Sequence, residues 1–128
     1  MLSNLPLLFS GLAVGVILFQ TAIIAPVVLG SLGPQAAGPF LRKVFPKFFI
    51  LLAAIGLLNH LAAVLSSMPT HACIGAATLT LAIIAYLLIP MTNKSRDENN
   101  EKSFKRLHNA SVGMTVAMLL INLASAAV

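Results

Sequence analysis

Four long apolar stretches, at about 5–29, 47–66, 71–90 and 105–126, alternate with shorter polar ones along the chain. Each is close to the roughly 20 residues that a helix needs to cross a bilayer. In the last of them, stepping alternately by three and four residues from His108 gives Ser111, Thr115, Met118, Asn122 and Ser125, a line that collects most of its polar or small side chains. That average spacing is the seam of a helix packed at a shallow angle on its neighbours. The residues off the line are mainly Val, Ala, Met, Leu and Ile. An apolar outside around a mildly polar seam is the reverse of a soluble amphipathic helix and suits a chain whose solvent is lipid. The second stretch repeats the pattern with Ala53, Gly56, His60, Ala63 and Ser67, and the third with Gly75, Thr78, Ala82 and Ala85. In the first, Gly11 and Gly15 form a G-x-x-x-G pair that predicts close helix contact. Gln20 and Thr21 fall near mid-bilayer, where an amide is expected to turn inward to a partner. The pattern predicts an all-α fold: an integral membrane four-helix bundle, a single domain over 1–128.

The connections are uneven. Pro26 is expected to bend or end the first helix, which has no basic leader and is read as retained. Gly33-Pro34 and Gly38-Pro39 punctuate the next stretch of chain, where Phe40, Leu41, Val44 and Phe45 alternate with Arg42, Lys43 and Lys47. An apolar set beside a basic set predicts a short interfacial helix over 35–45, with Pro46 in the first turn of the second spanning helix. A polar turn at 66–70 leads to the third helix, which Pro90 is expected to close, and 91–105 reads as a solvated, charged loop.

Composition changes the class of protein under consideration. With 59% hydrophobic and 9% charged residues, the chain lies far from the quarter of charged residues usual in soluble domains. A soluble catalytic domain is excluded, and 128 residues leave room for four crossings and no second domain. The net charge of +5 is explained by membrane topology and anionic headgroups, not by nucleic acid. All eight basic residues segregate into two places: Arg42, Lys43 and Lys47, then Lys94, Arg96, Lys102, Lys105 and Arg106. By the positive-inside rule, loops 30–47 and 91–105 are cytoplasmic and both termini lie outside. The partners this implies are the lipid bilayer and, for association, a homo-oligomer or a larger membrane complex.

Candidate chemistry is sparse. The three acids, Asp97, Glu98 and Glu101, all fall in the charged loop, so no spanning segment holds a carboxylate for acid–base or two-metal work. The Ser and His residues have no acidic partner at membrane depth, no glycine loop suits a phosphate, and Cys73 stands alone. An activity of the enzyme type is therefore not expected. His60 and Met118 count out to about the same depth, which leaves a haem or metal site on that pair, redox-active in class, as the alternative reading; His60 and His108 are roughly 18 Å apart along the membrane normal, too far to share one iron. Gln20, Asn59, His60, Thr115 and Asn122 are the candidate ligand-binding residues. They either hold the helices in register or line a small polar cavity with His60 as its ligand group. His108 is expected to cap the start of the fourth helix.

Several short elements then align with a known group: Ala25-Pro26-Val27-Val28, Ala37-Gly38 followed by Val44-Phe45-Pro46-Lys47-Phe48-Phe49, Pro90-Met91-Thr92-Asn93-Lys94, and Phe104-Lys105-Arg106-Leu107-His108-Asn109-Ala110-Ser111. In these the chain resembles the transmembrane protein 205-like family of small four-helix integral membrane proteins, whose bacterial members carry a domain of unknown function. The Phe104, Leu107, His108, Ser111 element at the start of helix four is its most specific mark. The resemblance implies a bundle in a bacterial inner membrane and supplies no catalytic residues. Two functions emerge as expectations: a non-enzymatic accessory subunit or small-molecule-handling component without cofactor, or a haem or metal binder on His60.

Overall fold

The computed structural model describes residues 2–128, and every element among them is helical. A 3-10 turn, Leu2–Asn4, leads into α1, Leu5–Leu18, and a π-helical turn, Phe19–Ile24, joins it to α2, Ala25–Leu65. Then come α3, Pro69–Asp97, and α4, Glu101–Ala124, which ends in a 3-10 turn, Ser125–Ala127.

Three continuous runs are long and apolar enough to cross a membrane, Leu2–Leu65, Pro69–Asp97 and Glu101–Ala127, in place of the four separate helices expected. The difference lies in the first run. Pro26 neither ends the helix nor stands alone in it: the π turn just before it lets the Ala25 N–H reach back to the Gln20 carbonyl, so the ladder changes register where a proline removes a donor. Gly33 is where the run breaks, at φ 70° and ψ 170°, a combination that only glycine adopts without strain. Pro34 comes in the first turn after the break, where its missing N–H costs nothing. From there the helix continues unbroken to Leu65 through Pro39 and Pro46, so the interfacial helix predicted for 35–45 is not a separate element. A straight helix of 64 residues would measure about 96 Å, three times a bilayer core. Instead the two arms on either side of Gly33 pack together. Asn59 Nδ2 donates to Ser10 Oγ at 3.0 Å, and Gln20 shares a groove with Lys47, so the arms run antiparallel.

Two further boundaries move. Pro90 lies inside α3, which runs on to Asp97, and α4 begins at Glu101, so most of the expected loop over 91–105 is helix. The reversal is confined to 98–100. Asn99 takes a positive φ of 54°, which asparagine tolerates well, and the Asn100 side chain caps α4 by accepting from the Ser103 N–H at 3.1 Å.

The seams pack as their small residues predict. A Cβ on Gly56 would lie 2.6 Å from the Leu79 nitrogen, and one on Gly75 would collide with the His60 backbone, so α2 and α3 touch backbone to backbone. Ile17, Leu52, Ala82, Ala85 and Met118 form the fully enclosed core, flanked by Phe48 and Phe49. Outside, Leu8, Leu18, Val27, Leu58, Leu87 and Leu120 stand exposed around the bundle.

Candidate functional site

The seam of the first arm is built from Pro6, Ser10, Ala13, Ile17 and Gln20, all buried and spaced by fours and threes. This brings Ser10 to Asn59 and places Gln20 on the inner side of the π turn. Gly11 and Gly15 lie off this seam. Nothing approaches within 4 Å of where their side chains would be, so the close contact expected of the G-x-x-x-G pair is not made within the chain.

The five interior polar residues do not meet one another. Asn59, 1% exposed, is tied to Ser10. Asn122 donates to Thr78 Oγ1 at 2.8 Å and to the Met118 carbonyl at 2.8 Å. Thr115 Oγ1 donates to the Ser111 carbonyl within its own helix. His60 is half-buried, with Nδ1 2.9 Å from the carbonyl of Ala72. Gln20 is buried, and its Nε2 is enclosed without a partner. The inward orientation expected for Gln20 holds, but the inter-helix hydrogen bond does not. Both asparagines also keep a buried carbonyl oxygen without a partner.

His60 and Met118 are not level. Asn122, one turn beyond Met118, meets Thr78, whereas His60 meets Gly75, nearly a turn beyond Thr78. These steps separate His60 from Met118 by about 10 Å along the bundle. The count from the sequence placed them together because it started helix four at 105. In the structure α3 and α4 project further, and Met118 sits lower, in the apolar core. Among the described residues no group of three or more His, Cys, Asp or Glu side chains gathers.

At the polar end, the two basic stretches meet. Arg42 binds Asp97 through both guanidinium nitrogens, at 2.6 and 3.3 Å, which joins the turns after Gly33 to the end of α3. Asp97 is exposed and lies past the apolar length of its helix; the hydrogen bond from Arg42 holds its carboxyl below the ordinary value of 3.8. Nearby, Arg96 lies 4.0 Å over the Phe104 ring, which stacks on His108 with centroids 5.6 Å apart. His108 is thus a stacking partner, and Asn100 is the cap. Ser95 and Ser103 hydroxyls, 3.0 Å apart, close the same corner, while Leu107 is half-buried and Ser111 lends its carbonyl to Thr115.

An open groove of about 530 Å³ lies between the two arms. Gly11, Gly15 and Gln20 line one side and Lys47, Phe48 and Leu51 the other. Sequence reasoning did not find it. Its one advance signal is that Ser10, Ala13, Ile17 and Gln20 already form a seam, which leaves the two glycines facing elsewhere.

No curated protein and no solved structure matches the chain. Residues 8–101 match a family described as a domain of unknown function, DUF4149, a span that takes in most of the first arm, all of the second, the groove, the Gly56–Gly75 contact and all of α3. The chain belongs to the DUF4149 family.

Proposed function

We propose that the protein is a non-enzymatic integral membrane bundle in which both arms of the bent run cross the bilayer, giving four crossings with α3 and α4. It works by association, as an accessory subunit or a component that handles small molecules within the membrane. The observation that supports this reading best is the sidedness of the side chains. Asn59 with Ser10 and Asn122 with Thr78 are paired in the interior, while large aliphatic residues face outward around the bundle. In water that arrangement would expose the apolar surface; in hydrocarbon it satisfies both classes. The contact between Arg42 and Asp97 supports a shared side for the two basic stretches, which the positive-inside rule makes cytoplasmic, with both termini outside in a bacterial inner membrane. On this reading the turns at 34–47 lie at the headgroup level, and the likeness to the transmembrane protein 205-like family extends to its four-helix plan. Resistance to carbonate extraction from membranes, with release only by detergent, is the expected result; release by carbonate would refute membrane integration.

One observation keeps the haem or metal reading as the second. If His60 Nδ1 carries its proton toward the Ala72 carbonyl, Nε2 is left with a free lone pair, the arrangement found in ligating histidines. A visible spectrum and metal analysis of detergent-purified protein decide it. A Soret band or bound metal lost in His60→Leu would favour this reading, whereas a colourless, metal-free protein and a stable His60→Leu variant leave the first.

A further inference from the structure

The groove between the arms combines three features that the packing of the chain does not require. Gly11 and Gly15 open onto empty space, although a Cβ at either would meet nothing within 4 Å and alanine would favour the helix more. Gln20, 6% exposed, lines the groove with an amide nitrogen that finds no partner, an omission that costs free energy in an apolar setting. Lys47 stands at the same end as Gln20, exposed and without an ion pair among the described residues; with the turns at 34–47 at the headgroup level, Gln20 lies near the ester level and not at the mid-bilayer depth expected from the sequence. The π turn that sets Gln20 there is itself a departure from the ordinary helix, of the kind found often at binding sites.

We propose that this groove is a binding site for one anionic phospholipid of the bilayer, with an acyl chain lying over Gly11 and Gly15, an ester carbonyl at Gln20 and the phosphate at Lys47. The volume of about 530 Å³ falls within the roughly 300–1,000 Å³ typical of small-molecule sites. The walls beside the glycines, Phe19 and Phe48 among them, are apolar and suit a hydrocarbon chain. Rotation of the Gln20 side-chain amide about its last, soft torsion turns its idle N–H bonds toward the groove. There an ester carbonyl supplies the missing acceptor. Just above the ester level of a lipid lies the phosphate, within reach of a lysine that extends its apolar stem along the groove and its ammonium to the headgroups. A second transmembrane helix over the glycines would fill the space but bring no anion to Lys47 and no fixed acceptor to Gln20, so the lipid is favoured by charge and by hydrogen bonding together.

This inference rests on the membrane reading, and carbonate extraction tests that reading separately. The experiment uses the full chain in detergent with dioleoyl phosphatidylglycerol or dioleoyl phosphatidylcholine, and native mass spectrometry reads the lipid retained per protomer. One retained phosphatidylglycerol, in preference to phosphatidylcholine, is expected. Lys47→Gln should lower that preference about fivefold, as the loss of one basic residue at an anionic surface predicts. Gln20→Leu should weaken retention of both lipids, and Gly15→Leu, whose Cβ meets nothing within 4 Å, should abolish it in a protein whose helicity and elution volume are unchanged. Equal retention of the two lipids, or wild-type retention in Gly15→Leu, overturns the proposal, as does a Gly15→Leu variant whose only change is from dimer to monomer. Should Gly15→Leu fail to fold, a phosphatidylglycerol with a diazirine in its acyl chain reports on the wild type. Crosslinks within 11–20 and 44–51 support the site, and crosslinks only elsewhere refute it.

Discussion

At the scale of single residues, two side-chain hydrogen bonds cross between neighbouring helices in the interior. The Asn59–Ser10 bond lies between the two arms and holds their register, and Asn122 does the same for α3 and α4 through Thr78. A double-mutant cycle over Asn59→Leu and Ser10→Ala should give a coupling of about 0.6 to 1.7 kcal/mol in detergent unfolding, the range measured for hydrogen bonds between membrane helices. Additivity of the two losses would show that the bond contributes nothing. At the polar end, the pair of Asp97 with Arg42 ties stability to pH. The Asp97 carboxyl is held below 3.8 by Arg42, so its contribution to stability is present above that value and lost as pH falls through the lowered one. Asp97→Asn should flatten the acid side of the stability profile below the ordinary carboxyl value, and raised salt should mimic it, since the pair is exposed. An unchanged acid limb would remove the pair from the account.

The elements show where sequence and structure part. The periodicity of three and four was legible in α3 and α4, where it placed Gly75, Thr78, Ala82, Thr115, Met118 and Asn122 at buried positions, but in α2 it met burial only at Gly56 and Ala63: His60 is half-buried beside the enclosed Asn59, and Ser67 is exposed. It failed where a short motif was read in place of a pattern. Gly11 and Gly15 suggested a contact face, but the residues actually buried, Ser10, Ala13, Ile17 and Gln20, keep the same spacing one position away. Prolines were misleading for a different reason. Pro26, Pro39, Pro46 and Pro90 all sit within helices; at Pro26 a π turn shifts the register just before the missing donor, and at the other three one lost ladder bond does not end the helix. Only glycine at 33 could supply the break itself. Gly33→Ala should therefore cost about 1–3 kcal/mol, while leaving the individual helices formed. The two classes of glycine should also separate cleanly: Gly75→Leu must push α3 from α2 and lose at least about 2 kcal/mol, whereas Gly15→Leu stays within about 0.5 kcal/mol of wild type. Equal effects in thermal unfolding would contradict the assignment of seam and groove.

For the whole molecule, composition made helices apolar and long enough to cross a membrane legible from the sequence alone, since it does not depend on helix boundaries. The groove was not legible, because it arises from the fold-back at Gly33, which brings Lys47 beside Gln20 across a long stretch of chain. The same fold-back decides how many times the chain crosses. If the Leu2–Leu65 run crossed once, its two ends would lie on opposite sides; if both arms cross, those ends share a side and the bend lies opposite. The decisive measurement is cysteine accessibility from each face of intact vesicles, on a Cys73→Ala background, with Ser3→Cys, Gln35→Cys, Thr70→Cys and Asn99→Cys made singly. The account predicts that Ser3→Cys and Thr70→Cys react only from outside, and Gln35→Cys and Asn99→Cys only from the cytoplasmic side. Labelling of Ser3→Cys and Thr70→Cys from opposite faces would contradict the four-crossing bundle.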